Sequence, residues 1–214
     1  MKHPKIVEHL HLMDKLPEGD KRLESILIGS DKIQQRVEEL ACQIRDDYGV
    51  MTPLCIIGAL KGATIFITDL VRTLSRVGKQ EMTLAFLRAS AYGDVVRTGD
   101  SVGMRKVNID MLGAKITAKH ILVVDDILDQ GFTLSGICAK LTELYPDANI
   151  KTCVLLKKEL ANPSEEIKAL RGSINPDYVG FKVQDRWVVG YGLDAKEMYR
   201  ELPYIALADE KAFD

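Results

Sequence analysis

The amino-acid sequence predicts an α/β fold: a parallel sheet flanked by helices, with a small subdomain assembled from the two ends of the chain. Three observations carry this. Short, continuous apolar runs at Leu54–Ile57 and His120–Val124, with another near Lys151–Leu156, read as strands buried on both faces. Between them lie segments of 10–15 residues or more whose apolar residues recur at helical spacing, the alternation expected of βαβ units. Beyond this alternating middle, the periodicity breaks down at both ends of the chain.

The first 20 residues read as an irregular arm, because Pro4, Pro17 and Gly19 interrupt any long helix. Ser30 and Asp31 can cap a helix running to about Tyr48, with Ile33, Val37, Leu40, Ala41 and Ile44 as its apolar stripe and Gly49 closing it. After the strand at Leu54–Ile57, residues 58–62 (Gly-Ala-Leu-Lys-Gly) form a turn, and a second helix carries Phe66, Leu70 and Leu74. A strand follows at Met82–Leu87. Ser90–Met104, with Gly93, Gly99 and Gly103, has little apolar periodicity and reads as a long loop, a class often used as a lid. The strand at His120–Val124 ends in Asp125-Asp126, a helix runs from about Thr133 to Tyr145, and the strand near Lys151–Leu156 completes a strand–helix–strand unit. After Asn162-Pro163 the chain becomes an outer segment, with a strand near Trp187–Gly190 and a charged tail. No internal repeat or low-complexity tract interrupts this order, which suits a single domain over residues 1–214, with a core of about 30–185 and a subdomain of about 1–29 plus 186–214.

The chain has 214 residues, 46% hydrophobic and 28% charged, which excludes a disordered chain, a fibre and a coiled coil. Its 29 basic and 31 acidic residues leave a net charge of -2, so no broad basic field points to nucleic acid. No apolar run approaches the ~18 residues of a membrane span, so no membrane partner is expected. The opening MKHPKIVEHLHLMDKLPEGDKR is too charged for a secretory leader, and the ending AFD is no peroxisomal address. Cys42, Cys55, Cys138 and Cys153 lie far apart among apolar neighbours and are expected to be buried free thiols. Together these features predict a cytoplasmic protein.

The most informative segment is Ile121–Leu134, ILVVDDILDQGFTL. In open parallel sheets ligands gather beyond the carboxyl ends of strands, where this segment lies. The Gly131 backbone can approach an anion closely, and Thr133 with the amides of a helix start can bind a phosphate without any lysine. Asp125 and Asp126 suit the two hydroxyls of a ribose, since ionised carboxylates accept strong hydrogen bonds. One Asp after a strand is commonly a turn former. Three acids, a glycine and a threonine behind a buried strand favour a ligand site.

VVDDILDQGFT resembles the signature for 5-phosphoribosyl 1-pyrophosphate in the type I phosphoribosyltransferases. Four further segments resemble the hypoxanthine-guanine phosphoribosyltransferases of that family: Leu60-Lys61-Gly62, Arg88–Gly93 (RASAYG), Leu155–Lys158 (LLKK) and Asp177–Glu201 (DYVGFKVQDRWVVGYGLDAKEMYRE). They follow the family's order over nearly the whole chain, and VVGYGLD with its flanks is highly specific. The resemblance implies the family's parallel-sheet core with a small hood from the two termini. It also implies purine salvage: transfer of the 5-phosphoribosyl group to N9 of hypoxanthine or guanine, giving IMP or GMP and pyrophosphate.

By the same resemblance Asp129 faces N7 of the purine and exchanges its proton, as the catalytic residue. Asp125, Asp126, Ile127, Leu128, Gln130, Gly131, Phe132 and Thr133 complete the donor-binding segment. Lys61 and Gly62 form the pyrophosphate loop, which in relatives carries a non-proline cis peptide. Arg88 and Tyr92 belong to a lid that closes over the substrates and excludes water. Lys157 donates to the purine O6, Trp187 stacks on the base, Val188 offers backbone groups to the base edge, and Arg200 meets pyrophosphate. Mg²⁺ is the implied cofactor, with Asp194, Asp125 and Asp126 as its carboxylates. The implied partners are small molecules (a purine base and the donor) and further copies of the chain, in a homodimer or homotetramer. Three residues depart from the usual pattern: Gln130 and Phe132 in the phosphate segment, and Ala91 where the lid usually reads Ser-Tyr. Glu159–Asn175 is longer and more acidic than in many relatives. Rival readings are a regulatory protein that binds the donor or a nucleotide on the same fold, or a transferase for xanthine, orotate or adenine. Lys157, Trp187 and Asp194 together favour the purine-transferring enzyme.

Overall fold

The computed structural model describes residues 14–49, 52–78, 81–92, 97–98, 101–102, 106–112 and 116–213, with backbone alone at residues 90–92, 97–98, 101–102 and 106–108. In chain order the elements are β1 (Leu23–Ile28), α1 (Ser30–Tyr48), β2 (Leu54–Leu60), α2 (Thr64–Val77), β3 (Met82–Tyr92), β4 (Arg97–Thr98), β5 (Ser101–Val102), β6 (Lys106–Asp110), β7 (His120–Leu128), α3 (Phe132–Leu144), β8 (Asn149–Glu159), α4 (Glu165–Ser173), β9 (Tyr178–Gln184), β10 (Val188–Val189) and β11 (Ile205–Ala208), followed by a single 3₁₀ turn, Glu210–Phe213.

The main sheet has the order β6-β3-β2-β7-β8-β9. Its five strands from β3 to β9 are parallel, and β6 pairs antiparallel with β3 at the edge. The expected α/β class and parallel core are thus present. Continuous apolar sequence is what a two-sided core demands: all of β2 except Leu60 is buried, as are Ile121–Val124 of β7. One face is covered by α1 and α2 through residues such as Ile33, Leu40, Phe66 and Leu70; the other is covered by α3 through Leu134, Ile137 and Leu141. Each such side chain contributes about 1.5–3 kcal/mol on leaving water.

A three-stranded antiparallel sheet, β1-β11-β10, joins residues from near both ends of the chain. The Tyr199 hydroxyl donates to Asp20 at 2.6 Å, Arg22 donates to the same carboxylate at 2.8 Å, and the Arg22 guanidinium lies over the Tyr199 and Phe213 rings. The Arg22 hydrogen bond, with that of Tyr199, holds the Asp20 carboxyl well below the usual carboxylate range.

Several boundaries differ from the sequence expectation. The cap of α1 is Gly29, not Ser30 or Asp31, and the Ser30 N–H donates to the distant Asp14 carboxylate at 2.6 Å. β7 runs through Asp125 and Asp126 to Leu128, so the acids lie within the strand rather than after it. Pairing with β8 at Asp125, Ile127 and Leu128 supplies ladder bonds that side-chain polarity does not veto. Within the expected loop Ser90–Met104 the described residues 90–92, 97–98 and 101–102 are strand: β3 continues to Tyr92 and pairs with β6 from Arg88↔Asp110 to Tyr92↔Lys106, while β4 and β5 form a short ribbon. Gly93, Gly99 and Gly103 lie outside the described residues. The outer segment contains a further helix, α4, and a sheet strand, β9. All four cysteines are free: Cys55 and Cys153 are buried, whereas Cys42 and Cys138 are half-buried. Among the described residues no helix is long and apolar enough to cross a membrane.

Candidate active site

β2 and β7 lie side by side, yet β2 leads through α2 to β3 on one flank and β7 leads through α3 to β8 on the other. The crevice beyond their carboxyl ends is therefore the topological switch point of the sheet, where α/β folds hold ligands. A cleft of about 460 Å³ occupies it, lined by Lys61 and Gly62 after β2, by Asp125–Leu134 after and within β7, and by Asp194 and Arg200 from the small sheet's side. Gly131 caps α3 in the left-handed conformation (φ 99°) without any side-chain cap. The first-turn N–H groups of a helix have no partner within it, so this loop is built to receive an anion.

Burial pushes the Asp125 carboxyl well above its ordinary value, with the neighbouring Asp126 charge adding to the effect. Asp126 is pushed up too, by burial, against the pull of its hydrogen bonds and the nearby Arg200 charge. Asp125 is buried and Asp126 half-buried, with the Asp126 carboxylate accepting from the Ile127 N–H at 2.8 Å and lining the cleft. Hard oxygens from Asp125, Asp126 and Asp194 line the one cleft, while among the described residues no three His, Cys, Asp or Glu side chains converge into a metal cage. Mg²⁺ needs no cage, since it takes one or two carboxylates and shares substrate phosphates and waters. The donor set fits it.

The peptide bond Leu60–Lys61 is cis. The turn that follows is packed too tightly for any side chain but hydrogen: a Cβ on Gly62 would lie 1.7 Å from Asp126 Oδ2, and one on Gly192 would lie 2.1 Å from the Gly62 carbonyl oxygen. Gly192 also has φ 100°. Gly192, Gly62 and Asp126 thus stack in direct contact. The Arg200 guanidinium donates to the Gly192 carbonyl at 2.7 Å and pairs with Asp194 at 2.7 Å, while its Nε is buried without a partner. Lys61 pairs with Glu197 at 2.7 Å, but the two side chains are 68% and 65% exposed. So exposed a pair is screened by water and weak, and an incoming anion can replace Glu197.

An adjoining cleft of about 480 Å³ is lined by Asp129, Lys158, Asp185, Trp187, Val188 and Asp194, among others. The Lys158 ammonium is 3.4 Å from Asp129 and 3.8 Å from Asp185, with only 13% of its side chain exposed. Trp187 stacks on Phe213, the ring centroids 6.1 Å apart and 24° from parallel, which fixes the indole at the cleft wall.

Most of the expected residues therefore meet in two joined clefts that share Asp126, Ile127, Asp129 and Asp194. Three do not. Lys157 lines only the cleft beside Lys168 and Arg171, whereas its neighbour Lys158 borders that cleft and is also the lysine in the Trp187 cleft. Successive strand residues point to opposite faces, so only one of the two lysines can occupy it. Arg88 is exposed and lines neither cleft; its successor Ala89 does. The Tyr92 side chain lies outside the described residues. Sequence reasoning gave no role to Asp185, Glu197 or Arg171. Asp185 was visible beside Trp187 in DRWVVGY, whereas nothing in the sequence distinguished Glu197 from an ordinary surface charge.

Residues 29–196 match the family model described as "Phosphoribosyl transferase domain". The chain belongs to this family. Its relatives include the hypoxanthine-guanine phosphoribosyltransferase of Aquifex aeolicus, 36% identical over 86% of this chain and 94% of that protein. Another is the hypoxanthine-guanine phosphoribosyltransferase of Dictyostelium discoideum, 33% identical over 88% of this chain and 97% of that one. Among solved structures, the hypoxanthine phosphoribosyltransferase of Staphylococcus aureus superposes with a TM-score of 0.72 at 31% identity, covering 90% of this chain and 95% of that one. The family's α/β architecture and the sheet of this chain agree, and the switch-point cleft lies within the matched residues apart from Arg200.

Proposed function

We propose that this chain transfers the 5-phosphoribosyl group of 5-phosphoribosyl 1-pyrophosphate to N9 of hypoxanthine or guanine, releasing pyrophosphate in purine salvage. The observation that carries this reading is the junction of the two clefts at Asp129. On one side lie an anion loop and an acid pair. On the other lie an aromatic wall and a lysine with only donors to offer. The similarity to relatives named for both purines supports the choice of substrate.

In this reading residues 129–133 hold the 5-phosphate, Asp125 and Asp126 accept from the ribose hydroxyls, and Trp187 packs on the base. Lys158, not Lys157, donates to the purine O6. Lysine has three donors and no acceptor, so it satisfies a 6-oxo group and faces the amino group of adenine donor to donor. Asp129 holds the N7 proton and returns it in the reverse direction. Lys61 and Arg200 receive the pyrophosphate as its negative charge grows, the arrangement by which preorganised charges lower barriers when water is excluded. Asp194, with Asp125 and Asp126, would hold Mg²⁺, which when bound would supply Lewis-acid neutralisation of the donor's pyrophosphate. We assign the whole of residues 1–214 to one domain, with the three-stranded sheet as a hood. The activity is placed in the cytoplasm, in keeping with four free thiols, and the working form is a dimer or tetramer.

Product analysis with donor, Mg²⁺ and each base tests the assignment. IMP and GMP should form readily, the xanthine product weakly at most, and AMP almost not at all. Adenine as the best substrate would overturn it, and a protein that bound the donor but turned over no base would be the regulatory alternative.

A further inference from the structure

The segment Glu159–Asn175 carries α4 (Glu165–Ser173), whose Arg171 and the following Ile174 pack against Gly131 of the phosphate loop. From this helix Arg171 reaches three backbone carbonyls at once. One terminal nitrogen donates to Leu128 O at 2.9 Å and to Asp129 O at 2.8 Å, and the other donates to Lys158 O at 2.6 Å. The loop is also braced from below, because the Gly131 Cα approaches so closely that a Cβ there would stand 3.1 Å from Ile174 Cδ1 and 3.6 Å from Arg171 Cδ.

These three carbonyls belong to the residues on which the reaction depends. Leu128 and Asp129 begin the loop that receives the phosphate and carries the N7 carboxylate; Lys158 is the purine-reading residue at the end of the neighbouring strand. At the end of the β7–β8 ladder the last paired residues are Leu128 and Lys157, so beyond them the two strand ends diverge without backbone bonds to each other. A guanidinium suits this gap: it is planar, permanently charged and presents a fixed fork of donors, whereas a lysine ammonium could hold the same carbonyls only through a flexible stem.

We propose that Arg171 is a positioning residue that ties the Asp129 loop to the Lys158 strand end, setting the distance between the group that handles N7 and the group that reads O6. The inference rests on the functional reading given above. It touches neither Lys61 nor Arg200, so its consequences should be confined to the phosphate and purine side of the site.

The test compares Arg171→Met and Arg171→Lys with the parent protein. In Arg171→Met, kcat/KM for donor and for hypoxanthine should both fall about 10–100-fold, the scale on which an ångström of misplacement acts. The KM for pyrophosphate in the reverse reaction should stay close to the parent value. Arg171→Lys should recover part of the loss, and millimolar methylguanidinium should restore activity to Arg171→Met but not to the parent. Hydrogen exchange supplies a readout independent of turnover: the amides of residues 129–134 should exchange faster in Arg171→Met, with those of residues 61–64 unchanged. Normal kinetics with unchanged exchange would overturn the inference. An equal weakening of pyrophosphate, or faster exchange throughout the molecule, would also overturn it by showing a merely structural role. A parent protein inert toward every 6-oxopurine would sink the functional reading instead, leaving the exchange experiment to decide whether Arg171 holds the loop.

Discussion

At the scale of single residues, Lys158 lies 3.4 Å from Asp129 and 3.8 Å from Asp185, and the proposed function puts this pair where phosphate chemistry meets base recognition. If Asp129 exchanges a proton with N7, Asp129→Asn should lower kcat by about 10²–10⁴, the usual contribution of general acid–base catalysis, with donor affinity little changed. Steady-state kinetics with donor titrations checks it, and near-normal turnover would remove Asp129 from the role. Lys158→Met should cut kcat/KM for hypoxanthine and guanine together by about 10–100-fold, since a hydrogen bond to a charged group contributes about 1.5–3 kcal/mol. Lys157→Met serves as the control, because Lys158 but not Lys157 lines the Trp187 cleft. A Lys157 variant more damaged than the Lys158 variant would return the assignment to Lys157. The sequence made the pair conspicuous but could not phase it. At the end of β8, which stays paired with β9 through Glu159, one residue of register decides which side chain enters the cleft.

At the scale of elements, legibility followed burial. β2, β7 and β8 were visible because strands covered on both faces must be continuously apolar, and α1 because one stripe of a helix must be. β6 and the extension of β3 were hidden. Their ordering comes from pairing across the sheet edge, which a glycine-rich local pattern does not announce. α4 was equally unreadable as a functional element, since Arg171 acts through backbone carbonyls that look the same in any sequence. The phosphate segment was the reverse case: acids, glycine and helix start occur consecutively, so local sequence encodes the whole device. The Lys61–Gly62 turn lies between these extremes, its glycine explained only once Asp126 and Gly192 are seen against it. Gly62→Ala should therefore leave the fold intact by circular dichroism while lowering kcat/KM for the donor by about 10²-fold, as Asp126 or the turn shifts to admit a methyl group. Unchanged donor kinetics would mean that the stack is not part of the site.

At the scale of the whole molecule, the clefts are walled by both sheets: Asp125–Thr133 come from the large one, Trp187 and Val188 from the small one, and Asp194 and Arg200 from the turns between β10 and β11. A ligand bound there bridges them and should stabilise the entire fold. At a hundred times its dissociation constant it contributes about 2.7 kcal/mol, which for a chain of this size raises Tm by about 5–10 °C. The acid pair adds a pH dependence with a definite sign. Because the folded carboxyls are raised above their ordinary value of about 4, their contribution to the stability of the free protein is fully present below that value. It is lost as pH rises through the folded values. Ribose hydroxyls, and Mg²⁺ held there, would favour the ionised form, so donor binding with Mg²⁺ should release protons at pH values above the ordinary carboxylate pKa and tighten as pH rises through the raised values. Calorimetric titrations in two buffers of different ionisation enthalpy measure this directly. Release should be seen in the parent protein and should be diminished in Asp125→Asn. Proton uptake on binding, or release of the same size in Asp125→Asn, would show that the pair is not the group the donor relieves.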